Sequence, residues 1–179
     1  GKTAYSYIMK AQNEALKEAW NNFKEIHGGL FGSSLKKDFE KFKKENAFWL
    51  DNDSLYEALS LENDNDFWYT WKNESDKNLM NPKSEEEKKA AETRIADIRK
   101  KYEDEIEFYK FCQFVLEIQN EETKKFALSK GIKMIADRQV AFSDRDAWAY
   151  QSLFLEGWYL GCPPDYFSKD GQAWGFPVM

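Results

Sequence analysis

The chain has 179 residues, 42% of them hydrophobic and 32% charged, a balance typical of a globular domain that can bury a core. Its net charge is −6 and its basic residues are interleaved with acids, so we expect no binding to nucleic acid or to an anionic membrane surface. No apolar run approaches the ~20 residues of a membrane span, no signal-peptide pattern opens the chain, and the two cysteines offer neither a zinc pattern nor a disulfide framework. A cytoplasmic location is expected.

The aromatic content is unusual. Aromatic residues make up 17% of the chain, with 14 Phe, 9 Tyr and 7 Trp. These rings exceed the needs of a helical core of this size, so some of them are expected to line a surface that meets a ligand or another protein.

The first half of the chain has helical periodicity. Apolar residues recur at three- and four-residue steps over residues 5–23, and again over residues 35–50. His27 is expected in the last turn of the first helix, before a C-terminal glycine. After a short helix around residues 54–61, the stretch "NDNDFWYTW" predicts a polar turn that brings Trp68 and Trp71 to one face. These two rings are either core, the favoured interpretation, or a ligand platform.

A clear break and restart follows at "MNPKSEEE". Pro82 ends any helix that precedes it, and Ser84 with Glu87 has the spacing of a capping box. The apolar spacing then predicts one long helix that reaches Leu116, and a further helix over residues 123–130 that ends at Gly131.

The periodicity changes after Gly131. The segment "IKMIA", residues 132–136, predicts a single buried strand that is followed by Asp137. A lone strand leaves its backbone groups unpaired, so the neighbouring strands must come from elsewhere. A helix, a glycine, a buried strand and an acid together form the repeating unit of an α/β barrel, which needs ~250 residues and eight strands. We therefore expect this chain to be a piece of a larger protein.

The second half of the chain resembles a known family. The sequence "YKFCQFVLEIQNEETKKFALSKGIKMIAD", then "SDRDAW", then "GCPPDYFSKDGQAWGFP" is similar to the amylomaltases, the 4-α-glucanotransferases of glycoside hydrolase family 77. Gln113 and Gln119 keep the family's spacing, and residues 161–177 match its loop pattern Gly-x-Pro-Pro-Asp-x-Phe-Ser-x-x-Gly-Gln-x-Trp-Gly-x-Pro. The chain departs from the family at Ala136, where Gly is common, at Val140, which comes two residues early, and at Phe176 and Met179.

The resemblance implies both a fold and an activity. It implies a mainly α chain, with a helical insertion subdomain over residues 1–105 and a barrel helix, the third strand and a substrate-cleft loop over residues 106–179 of a (β/α)8 TIM barrel. The family transfers α-1,4-glucan segments between maltooligosaccharides by a retaining reaction, which uses two carboxylates about 5–5.5 Å apart. The family motifs that carry these carboxylates, Arg-x-Asp-His and Ala-Glu-Asp-Leu-Gly, do not occur in this sequence. No catalytic residue, metal or cofactor is therefore predicted, and these 179 residues alone are expected to be inactive.

The resemblance also implies a set of substrate-binding residues: Asp137, Asp165, Tyr166, Phe167, Gln172 and Trp174. Flat rings can cover the apolar faces of pyranose rings, and carboxylates and amides can bind the hydroxyl rim. Structural alternatives stay open for most of them. Asp165 could be an N-cap, Phe167 and Trp174 could anchor the loop to the barrel, and Asp137 could cap the next segment or pair with Arg138 or Arg145.

A rival interpretation is a free-standing helical module that binds glucan or a protein partner without chemistry. The interpretation as part of a larger enzyme makes a prediction that the module does not make. The unpaired segment at residues 132–136 should expose apolar surface, which favours self-association, or should lie in something other than a barrel.

Overall fold

A computed structural model describes residues 3–27, 34–64, 67–137 and 139–179. The prediction of a mainly helical chain is confirmed. The helices and strands of the described residues, in chain order, are α1 (Tyr5–His27), α2 (Ser34–Glu45), α3 (Ala47–Asn63), α4 (Glu74–Lys77), α5 (Glu85–Lys101), α6 (Glu103–Ser129), α7 (Asp144–Ala149), β1 (Tyr159–Cys162) and β2 (Gln172–Pro177). Two short 3₁₀ turns, Trp68–Thr70 and Gln151–Leu153, complete them.

The chain forms two compact units. The first consists of Gly1–Ser54 and Asp104–Met134. Its core is a cluster of aromatic rings from α1, α2 and α6, closed by Leu50: Trp20, Phe23, Phe39, Phe42, Phe111 and Phe114. Several of the rings meet edge to face, as in the pair Phe23 and Phe39 with centroids 5.6 Å apart. Such contacts stabilise the cluster beyond the burial of its area.

The second unit consists of Leu55–Glu103 and Ile135–Met179. The ring of Tyr56 lies at its centre, 5.4 Å from Trp71 and 5.6 Å from Trp148 between centroids. Both tryptophans are buried, so Trp71 belongs to the core, as the favoured interpretation has it, while Trp68 is half-buried. The predicted boundary between residues 105 and 106, which would separate a helical insertion from a barrel part, stays a prediction.

The helix ends follow the sequence signals in part. His27 is the last residue of α1, and the expected C-terminal glycine lies outside the described residues. Ser84 caps α5, since its hydroxyl accepts a hydrogen bond from the Glu87 N–H at 3.1 Å. The Glu87 carboxylate accepts from the Lys83 N–H at 2.6 Å, so the reciprocal half of the capping box falls one residue early.

The predicted long helix is divided at Tyr102. The backbone of Tyr102 leaves the helical region, with φ −114° and ψ 32°, and its hydroxyl donates to Glu62 at 2.6 Å. A tertiary hydrogen bond thus accompanies the break, which apolar periodicity alone does not show. The separate helix predicted over residues 123–130 is the last part of α6.

The prediction of a buried strand at residues 132–136 is wrong for this chain. These residues form no strand, and Ile135 is 97% exposed. The physical reason is that a strand needs a neighbour to pair its backbone groups, and among the described residues the chain places no neighbouring strand beside this segment. The exposed apolar surface was expected of a piece of a barrel; the barrel unit and self-association stay predictions.

β2 and the second half of β1 lie in the segment of residues 161–177 that the sequence indicated to be a loop. β1 and β2 pair antiparallel as a hairpin.

Among the described residues, no helix is long and apolar enough to cross a membrane.

Candidate glucan-binding site

The hairpin depends on two glycines. In its register, Gly161 lies opposite Ala173 and Cys162 lies opposite Gln172. A Cβ on Gly161 would come within 2.4 Å of the Gln172 carbonyl oxygen. Gly171 enters β2 with φ +75°, and a Cβ there would lie 2.6 Å from the carbonyl oxygen of Cys162. Only glycine allows the two backbones to approach this closely at both positions.

Asp165 shapes the tip of the hairpin. Its Oδ1 accepts hydrogen bonds from the N–H groups of Phe167 at 2.9 Å and Ser168 at 2.7 Å. The N–H of Asp165 donates in turn to the Ser168 carbonyl at 2.9 Å. The carboxylate therefore closes an Asx turn in the loop; it is not an N-cap, because no helix follows it among the described residues. A contact with substrate stays a prediction.

Tyr166 and Phe167 project from the tip. They are 93% and 89% exposed, and their rings meet edge to face with centroids 5.4 Å apart. Two large rings held this far into solvent contribute little to the core of the described residues, and the alternative that Phe167 anchors the loop to a barrel stays a prediction. They are available to a ligand.

Gln172 and Trp174 act together on β2. Two residues apart on a strand, they lie on the same face, and the Trp174 Nε1–H donates to the Gln172 Oε1 at 2.9 Å. This bond fixes the plane of the indole, which is 44% exposed. A ring held in orientation before a ligand arrives loses less conformational entropy on binding.

Trp174 lines a groove of about 950 Å³ within the second unit. Its wall combines rings with charged groups. The lining includes Phe67, Tyr69, Glu57, Asp144, Arg145, Trp174 and Phe176. Of the six residues predicted from the sequence, Trp174 lines this groove and the other five do not.

The polar side of the groove is built by the start of α7. Ser143 caps this helix in a complete capping box with Asp146. The cap places Arg145 so that its Nε donates to Glu57 Oε1 at 2.9 Å, and a second guanidinium N–H donates to the same oxygen. The guanidinium carbon also lies 5.9 Å from the centre of the Tyr56 ring. The groove therefore carries an ordered pair of donor and acceptor groups beside its aromatic wall.

Sequence reasoning missed Glu57, Phe67 and Tyr69. The stretch "NDNDFWYTW" drew attention to its tryptophans, but the structure buries Trp71 and leaves Phe67 and Tyr69 exposed. No pattern in this stretch separates its exposed rings from its buried one, because the 3₁₀ turn at Trp68–Thr70 that orders them is seen only in the structure.

Asp137 stands apart from the groove. It lies at the end of the exposed segment of residues 132–137 and is itself exposed. Arg145, one of its two suggested partners, pairs with Glu57, and Arg138 lies outside the described residues. In the described part of the chain, no group of three or more His, Cys, Asp or Glu side chains could hold a metal ion.

The chain matches the 4-alpha-glucanotransferase family, glycoside hydrolase family 77, over residues 2–179. It belongs to this family. It is 30% identical to the 4-alpha-glucanotransferases of Aquifex aeolicus and Thermus thermophilus, over 99% of this chain and 34% of each relative. It is 28% identical to that of Clostridium butyricum, over 97% of this chain and 34% of the relative.

A solved member of the family shares the fold. The amylomaltase from Streptococcus agalactiae in complex with acarbose superposes with a TM-score of 0.79 at 22% identity, over 99% of this chain and 35% of the amylomaltase. The chain thus spans about a third of the length of the 4-alpha-glucanotransferases it matches.

Proposed function

We propose that these 179 residues form part of a 4-alpha-glucanotransferase and contribute one wall of its glucan cleft. The observation that carries the proposal is the family match over residues 2–179. The reaction would be the transfer of α-1,4-glucan segments between maltooligosaccharides, through a covalent glycosyl intermediate.

The chemistry of the wall suits a glucan. Trp174 offers a flat face to the C–H side of a pyranose ring, at little conformational cost because Gln172 already holds the indole. Glu57 and Asp144 supply carboxylate acceptors, and Arg145 supplies N–H donors, for the hydroxyl groups at the rim of each sugar. Tyr166 and Phe167 at the hairpin tip, with Asp165 and Asp137, are proposed to contact the same chain beyond the groove.

The bond-breaking carboxylates are proposed to lie outside these residues. The sequence contains neither Arg-x-Asp-His nor Ala-Glu-Asp-Leu-Gly, the motifs implied for the nucleophile and the acid/base. The role of this segment would then be to bind and orient glucan, which contributes to catalysis by positioning rather than by proton or glycosyl transfer.

The test measures turnover and binding separately. Glucose release from maltotriose by the 179-residue protein is expected to equal the buffer background, whereas acarbose should bind and change tryptophan fluorescence. Trp174→Ala should weaken that binding about five- to tenfold, the effect of losing one well-placed aromatic contact. Trp158→Ala is the matched control, because Trp158 is an exposed tryptophan of the same unit that does not line the groove.

Glucose release clearly above background would overturn the proposal that the catalytic carboxylates lie elsewhere. Equal loss of acarbose binding in the Trp174 and Trp158 variants would show that the groove is not the glucan site.

A further inference from the structure

The groove has a second aromatic wall that no sequence motif indicated. Phe67 and Tyr69 are 51% and 54% exposed, and both line the groove that Trp174 lines. Their ring centroids are 5.8 Å apart, with an interplanar angle of 38°. Together they present a continuous apolar surface of two adjacent rings.

The backbone that carries these rings is firmly held. The Thr70 hydroxyl and the Thr70 N–H both donate to the Phe67 carbonyl, at 2.8 and 2.9 Å. Trp68 contacts the Tyr69 ring edge to face at 6.1 Å, and Trp71 is fully buried beside Tyr56. The turn is therefore anchored in the core on one side and exposes Phe67 and Tyr69 on the other. Exposing two large rings on an anchored turn costs hydrophobic stabilisation, which points to a ligand that covers them.

The volume of the groove and its lining side chains indicate which class of ligand it binds. At about 950 Å³ it lies near the top of the range of about 300–1,000 Å³ for ligand sites, so one sugar ring on Trp174 would leave much of it unfilled. Rings interspersed with Glu57, Asp144 and Arg145 suit a ligand that is apolar on its faces and rich in hydroxyls at its edges. A chain of glucose units has this character along its whole length.

We infer that Phe67 and Tyr69 form a second contact for the glucan chain, separate from Trp174, and that they make the site prefer long maltooligosaccharides to short ones. The inference rests on the proposed function, since it assumes that the Trp174 groove binds glucan. On this inference, maltotriose contacts the Trp174 side alone, while maltoheptaose contacts both aromatic walls.

The test compares the affinities of maltotriose and maltoheptaose by titration calorimetry. The double variant Phe67→Ala/Tyr69→Ala should bind maltoheptaose about tenfold more weakly and maltotriose within about twofold of the unchanged protein, on the scale expected for aromatic contacts. Phe67→Leu/Tyr69→Leu keeps apolar bulk without a flat face and should show the same selective loss. The matched control, Tyr7→Ala/Phe126→Ala, removes one exposed Tyr and one exposed Phe from the other unit and should change neither affinity.

The outcomes separate the two proposals. If Trp174→Ala weakens binding while the Phe67/Tyr69 variants leave maltoheptaose affinity unchanged, the second contact is refuted and the proposed function stands. Equal weakening for both sugars would also refute the role in length preference. If the unchanged protein binds neither sugar, the proposed function fails and this inference fails with it.

Discussion

Asp76 connects four helices of the second unit through hydrogen bonds. Its fully buried carboxylate accepts two hydrogen bonds from Arg94, at 2.8 and 3.0 Å, and one from the Asn63 amide at 3.1 Å. Its carbonyl accepts a further bond from the Trp148 indole at 3.0 Å. One residue thus joins α3, α4, α5 and α7. A buried carboxylate is tolerated because its charge is paired and its oxygens are satisfied.

Removing the partner of that carboxylate should be costly. Arg94→Met keeps the aliphatic stem but leaves the Asp76 charge buried and without its guanidinium, so the free energy of unfolding should fall by about 3–5 kcal/mol. Arg99→Met, the same substitution at an exposed position of the same helix, should change it by less than about 0.5 kcal/mol. Urea unfolding followed by tryptophan fluorescence measures both. Similar effects for the two variants would show that the Asp76 network adds no stability.

Asp165 shows how far reasoning from single residues reaches. The family resemblance implied a sugar contact for it and its place after two prolines suggested an N-cap, whereas the structure shows an Asx turn with no helix after it among the described residues. Glu57 carried no such signal, because its partner Arg145 lies 88 positions along the chain. Local sequence can predict that an acid bonds to the backbone near it, but it cannot predict which distant side chain an acid will meet.

At the level of elements, the hairpin is the feature that apolar patterning did not predict. β1 alternates between exposed and half-buried residues over only four positions, and β2 is exposed at all but its last position, so neither gives the apolar alternation of a strand packed on a core. The helices were predicted well because amphipathic stripes and the Ser84 cap are local signals. The break at Tyr102 and the unpaired segment at residues 132–136 both depend on tertiary partners, which periodicity does not report.

The hairpin makes a prediction about its glycines. Gly171→Ala should destabilise the protein more than Gly157→Ala, although both glycines have φ near +75° and carry the same backbone strain of about 1–2 kcal/mol for alanine. The difference arises because the new Cβ at Gly171 would overlap the Cys162 carbonyl, whereas nothing lies within 4 Å at Gly157.

Thermal unfolding and acarbose titration together measure the effect of these changes. Gly171→Ala should also weaken acarbose binding, since it displaces the strand that carries Gln172 and Trp174, while Gly157→Ala should not. Unchanged binding in a folded Gly171 variant would mean that the hairpin register is not needed for the site.

At the level of the whole molecule, each unit has a carboxylate that titrates on acidification. The hydrogen bond from Lys24, helped by the Trp20 indole, lowers the pKa of Asp104 from its ordinary 3.8. The hydrogen bond from Lys101, with that from Tyr102, lowers the pKa of Glu62 from its ordinary 4.5. Asp104 lies in the first unit and Glu62 in the second.

Both units should therefore lose stability in acid. A group whose folded pKa is lowered contributes stability that is fully present above its unfolded pKa and is lost as the pH falls through the folded pKa. The free energy of unfolding, measured from about pH 7 down to about pH 3, should decrease once the pH falls below the ordinary pKa values of these carboxylates. Asp104→Asn and Glu62→Gln should each flatten that fall, and an unchanged slope in both variants would contradict the assignment.

The exposed segment at residues 132–137 has a consequence for how the second unit could be assembled. The chain enters this unit at Leu55, leaves it after Glu103 and returns at Ile135, so the unit is built from two separate stretches of polypeptide. The later stretch supplies Trp148 and Arg145, which bind Asp76 and Glu57 of the earlier one. A backbone cut between residues 132 and 137 would leave both sides of these contacts in place. We therefore expect the two stretches of the second unit to associate with each other even when they are supplied as separate chains.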